Sequence, residues 1–132
     1  MRFLKFWAPV LLWAALILSA ANDSFSDDNT EGLLVWAVGP IPPLVNIVVR
    51  KSAHILEYSV LALLSWRARR TLATPLLIVL AVACTDEILQ AMTRTRTGSP
   101  ADVVLDTCAG LLALLCLPSA RRHIASWSNA RR

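Results

Sequence analysis

The chain has 132 residues, 56% of them hydrophobic, and a formal net charge of +4. That length holds one domain, and so apolar a composition excludes an ordinary soluble one. The basic residues stand at the ends of apolar blocks and are not gathered with aromatics between them, which excludes nucleic acid as the partner. The blocks are about 17 to 25 residues long, the length that crosses a bilayer. The expected fold class is therefore all-α, an integral membrane four-helix bundle in which residues 1–132 form a single membrane domain.

The first block, residues 3–21, is apolar except for Lys5. A cleaved signal peptide is the rival reading, with Ser19 and Ala21 as small residues at a cleavage site. The bulk of Trp7 and Trp13 favours a retained span. Residues 22–32 read as an acidic loop. Residues 33–49 are apolar but carry Gly39, Pro40, Pro42 and Pro43, and proline removes donors that a lipid-exposed helix needs. This piece is expected as a Pro-broken interfacial segment, with a fifth span as its alternative.

The second span is expected at 47–66, closed by Arg67, Arg69 and Arg70, and the third at 72–92, turning polar at Asp86. The fourth, at 100–117, opens with Ser99 as N-cap, Pro100 at N1 and Asp102 at N3, a capping-box pattern. Pro118 ends it, and a basic tail follows. Cys84, Cys108 and Cys116 lack CxxC spacing and are expected as buried free thiols. Thr107 and Gly110 are expected to let helices pack closely. Trp7, Trp36, Trp66 and Trp127 are expected as interface anchors.

Four spans place both termini on one side. Nine of the thirteen basic residues then face the cytoplasm (Arg2, Lys5, Arg67, Arg69, Arg70, Arg121, Arg122, Arg131 and Arg132), while Arg50, Lys51, Arg94 and Arg96 face outward. That division satisfies the positive-inside rule.

At about 100° per residue, each of three spans gathers its polar residues on one face. The sets are Arg50, His54, Glu57 and Tyr58; Asp86, Glu87 and Gln90; and Asp102, Asp106 and Gly110. Alternating span direction brings all three faces to the outer leaflet. Ionisable residues inside a span cost at least about 2.5 kcal/mol near the centre, so neighbouring helices must supply their partners. Arg50 and Lys51 near a helix start, and Asp86 and Glu87 near a helix end, also oppose the helix dipole.

Three uses of this cluster follow from its residue types. The first is a nearly neutral ion-pair network holding helices together, with Asp102 only a cap. The second is a polar site open to the outside that binds a ligand or performs acid–base chemistry. There His54 and Glu57, one turn apart, act as a proton-transfer pair, and Arg94 and Arg96 hold a phosphate or carboxylate. The third is a divalent-metal site from His54, Glu57, Asp86, Asp102 and Asp106, which the four nearby cations oppose. No cofactor is otherwise called for. A small transporter or channel is disfavoured, because the inner halves of the spans carry no ionisable residues to continue a path.

Lys51-x-x-His54-x-x-x-Tyr58, Asp86-Glu87-x-x-Gln90 and Arg96-x-Gly98-Ser99-x-x-Asp102-x-x-x-Asp106-x-x-x-Gly110 together resemble the signature of the VanZ-like membrane protein family. Each piece is weak alone, and the three in order, across residues 50–114, are fairly specific. Ile55 stands where the family often has an aromatic, and Leu114 where it often has a second glycine; both departures bear on packing. The resemblance implies a multi-pass protein of the bacterial inner membrane and cell envelope, and a link to teicoplanin (lipoglycopeptide) resistance. The expected partner is a membrane lipid or lipid-linked cell-wall precursor. The residues expected to carry the role are His54, Glu57, Asp86, Glu87, Gln90, Arg96, Asp102 and Asp106, with Lys51, Tyr58, Arg94 and Ser99 as ligand contacts.

Overall fold

The structure, a computed structural model, describes residues 2–21, 32, 35, 36, 39, 42–92 and 98–129. It is all-helical, with no strand among the described residues. The helices are α1 (Arg2–Ala20), α2 (Pro43–Ala68), α3 (Ala73–Met92), α4 (Pro100–Leu115) and α5 (Pro118–Asn129).

α2 begins earlier than its sequence suggests. Pro43 occupies its first turn, where a missing N–H costs nothing, so residues 43–49 belong to the helix and the prolines mark its start. Upstream, Gly39 adopts φ +86° and its N–H bonds the Val35 carbonyl at 2.8 Å, a left-handed stop that suits glycine. A second revision concerns the C-terminus: the expected basic tail is a helix, α5, begun by Pro118 and packed on α4 through the buried Ala120.

Side-chain pairings fix the directions of the rods. Lys51 meets Asp102 and Ser59 Oγ bonds the Ala109 carbonyl, so α2 and α4 run parallel. Glu87 bonds Ser99 and Val79 packs at Gly110, so α3 runs opposite to α4 and hence to α2. Trp13 Nε1 donates to the Glu57 carbonyl at 2.9 Å and Arg67 lies 5.5 Å over the Phe6 ring, so α1 also opposes α2. The starts of α1 and α5 and the end of α2 therefore share one end of the bundle, and the start of α4 marks the other.

The core joins Val10 and Ile17 of α1, Tyr58, Leu61, Ala62 and Trp66 of α2, Val79 and Ala83 of α3, and Leu114 of α4. Gly110 lets three helices meet: a Cβ there would stand 3.2 Å from the Val79 methyls and 3.4 Å from Ala62 Cβ. Trp66 is buried in this core and is not an interface anchor. The three cysteines are free as expected but exposed on the bundle surface.

That surface is apolar. Leu11, Leu12, Leu16, Leu77, Ile88 and Leu112 are all exposed, while Asp86, Glu87, Gln90 and Asp106 are buried. A bundle greasy outside and charged inside suits a lipid solvent. By length and composition, α1 (over Phe3–Ala20) and α3 can cross a membrane. α2 is longer but carries charges in its first half, and the 16 residues of α4 span about 24 Å.

Candidate functional site

α2, α3 and α4 bring their polar faces together at the end of the bundle where α4 starts. Lys51, His54 and Tyr58 lie along one face of α2, and Asp102 and Asp106, four residues apart, along one face of α4. Because the two helices are parallel, these residues pair in register. Lys51 Nζ forms an ion pair with Asp102 Oδ1; the two side chains are 42% and 27% exposed. One turn deeper, His54 Nδ1 faces Asp106 Oδ2 at 3.6 Å, with side chains 18% and 0% exposed.

The next layer belongs to α2 and α3. The His54 ring stacks on Tyr58 with centroids 6.2 Å apart and planes 18° from parallel. The Tyr58 hydroxyl donates to Asp86 Oδ2 at 3.1 Å, and the Gln90 side chain bonds Asp86 from the following turn. Each carboxylate is thus answered from a neighbouring element, as charges buried among apolar helices require.

Glu87 answers a different need. Its Oε2 accepts the Ser99 backbone N–H at 2.5 Å. Ser99 is the N-cap of α4 but makes no side-chain cap bond, and Asp102 is drawn away to Lys51. The expected capping box is therefore replaced: Glu87 fills from another helix the place that Asp102 was expected to fill from its own. Gly98 permits this approach, since a Cβ on it would collide with the Glu87 carbonyl oxygen and come within 2.9 Å of Ala91 Cβ.

Of the residues expected in the site, Lys51, His54, Tyr58, Asp86, Glu87, Gln90, Ser99, Asp102 and Asp106 are joined by these contacts. Glu57 is half-buried on α2, but the carboxylate facing His54 Nδ1 is Asp106, not Glu57. Arg94 and Arg96 lie outside the described residues. The expected dipole cost at Arg50 and Lys51 also shrinks: both sit about two turns inside α2, beyond the first turn where the dipole acts. Asn46, buried and with Oδ1 unpartnered, was missed; its only signal was one amide in an apolar run.

His54 Nδ1 is turned toward a buried carboxylate, and the ring keeps some exposure. The 3.6 Å separation exceeds a hydrogen bond, and such contacts in unliganded sites commonly tighten only when ligand binds. Among the described residues, no group of three or more His, Cys, Asp or Glu side chains is placed to hold a metal ion.

No curated protein and no solved structure showed a match to the chain. The family described as VanZ/LLP1 matches residues 6–121, which include every paired residue of the site. Together with the two long apolar helices, this points to a membrane protein. It fits, in general terms, an envelope protein related to teicoplanin resistance. The chain belongs to the VanZ/LLP1 family.

Proposed function

We propose that this protein crosses the bacterial inner membrane four times through α1 to α4, with both termini cytoplasmic. Its charged site then lies in the outer leaflet, where it binds or modifies an envelope lipid or a lipid-linked cell-wall precursor. In this reading the protein contributes to lipoglycopeptide resistance by altering such a molecule or access to it. α5 lies at the cytoplasmic surface, and the basic residues Arg67, Arg69, Arg70, Arg121 and Arg122 stand at that end.

The observation that carries the reading is the part-exposed His54 held against the fully buried Asp106. A carboxylate with no exposure is costly, and its gain here is an oriented imidazole near one end of the bundle. His54 acts on the ligand, and Asp106 positions it. Asp86, Glu87, Gln90 and Asp102 support that pair, and Glu57 and Arg96 are assigned roles in the same chemistry. Lys51, Tyr58, Arg94 and Ser99 contact the ligand.

A second reading is a membrane scaffold whose network is structural. The interhelical bonds Tyr58–Asp86 and Glu87–Ser99 favour it. Alanine substitution separates the two. On the functional reading His54→Ala accumulates normally and loses the teicoplanin phenotype; on the structural one it fails to accumulate. Lipid co-purification and elemental analysis of the wild-type protein identify what the site holds.

A further inference from the structure

The described part of the site leaves buried carboxylate oxygens without a protein donor. Asp86, Glu87 and Asp106 are buried, and the contacts described for them come from a tyrosine hydroxyl, an amide side chain, a backbone N–H and a histidine. The lysine in the cluster is committed to Asp102, at the mouth. Oδ1 of Asp106 and Oε1 of Glu87 are buried without a protein hydrogen-bond partner, while Oδ2 of Asp106 faces His54 Nδ1 at 3.6 Å. Open acceptors inside a protein carry an unrecovered desolvation cost, so a donor-rich ligand is the group that completes them.

The arrangement also narrows the kind of cation. A metal draws its oxygens in to about 2.0–2.6 Å, and no set of side chains among the described residues is gathered for that. An ammonium donates to oxygens at about 2.7–2.9 Å through three N–H groups, which suits carboxylates spread over two helices.

We propose that the site takes a primary ammonium group, with Asp106 and Glu87 receiving its N–H donors and Asp102 meeting it first. The Lys51 ammonium on Asp102 holds the place of that group in the closed site. Asp106 has no exposure, and the Lys51–Asp102 pair stands one turn above it. This inference rests on the lipid- or precursor-binding reading and names the chemistry recognised. An aminoalcohol headgroup and a free amine share that chemistry.

The test uses the full-length protein in neutral detergent, incubated with equal amounts of phosphatidylethanolamine and phosphatidylcholine, followed by quantification of retained lipid. The choline lipid carries the same charge without N–H donors. Ethanolamine lipid is expected to be retained over choline lipid by at least about tenfold. The preference is expected to vanish in Asp106→Asn and to weaken in Asp102→Asn. Should Asp106→Asn fail to fold, the wild-type preference and Asp102→Asn still decide. In a parallel arm, stabilisation by free ethanolamine but not choline assigns the group to a soluble amine; selective retention of the lipid alone assigns it to a headgroup. Lipid retained without regard to headgroup, or a preference untouched by both carboxylate variants, overturns the ammonium assignment and leaves the lipid reading standing. No retained lipid and no response to ethanolamine overturns both.

Discussion

Glu87 of α3 accepts the backbone N–H of Ser99 at 2.5 Å, so the start of α4 is capped by a residue twelve positions upstream on another helix. The carboxylate satisfies an orphan donor and faces the positive end of the α4 dipole. Glu87→Ala is expected to lower stability by about 1–2 kcal/mol, the upper range for a lost cap. Ser99→Ala is expected to cost far less, because its hydroxyl makes no cap bond. Thermal melting of the two variants in one detergent checks the contrast; equal losses would contradict it.

Gly98 holds that cap in place. Gly98→Ala puts a Cβ against the Glu87 carbonyl and Ala91, with backbone on one side, and is expected to cost about 1–3 kcal/mol as overpacking does. Gly110→Ala meets only the Val79 methyls and Ala62 Cβ, which can give by a few tenths of an ångström. Gly110→Ala is therefore the milder variant in the same melting experiment, and Val79→Ala is expected to relieve it.

Tyr58 is fully buried and its hydroxyl serves Asp86. Tyr58→Phe keeps the ring on His54 but removes the donor, an expected loss of about 1–3 kcal/mol. Lys51→Ala breaks a pair that is partly exposed, where water screens the attraction, and is expected to change stability by no more than about 1 kcal/mol. Chemical or thermal unfolding of both variants ranks them; a larger loss for Lys51→Ala would contradict the ranking.

Cys84, Cys108 and Cys116 are exposed on the bundle. If that surface faces lipid, none of them meets water, and the thiolate that reacts with maleimides does not form. All three are expected to stay unlabelled in the intact membrane and to react once the protein is unfolded in denaturant. Rapid labelling of folded protein in membranes would place them in water.

How far the residues alone led can be seen helix by helix. The 100° spacing sufficed to put His54, Asp86 and Asp106 on facing surfaces, because charges inside apolar rods have few places to go. It did not say that Asp102 would leave its own helix for Lys51, since that choice depends on a contact across 51 positions. Nor could it orient the cysteines or Trp66: core and lipid faces are both apolar here, so amphipathicity carries no sign. The prolines at 42 and 43 misled for a local reason, being as well suited to starting a helix as to breaking one.

Labelling from one side of the membrane tests most directly whether the charged end of the bundle faces outward. In a background with the three native cysteines replaced by serine, Ser52→Cys lies beside Lys51 and Arg69→Cys at the opposite end, both at exposed positions. With a membrane-impermeant maleimide on intact spheroplasts, Ser52→Cys is expected to be labelled at once, and Arg69→Cys only after permeabilisation. Labelling of Arg69→Cys from outside, or of both positions from the same side, would contradict an outer-leaflet site.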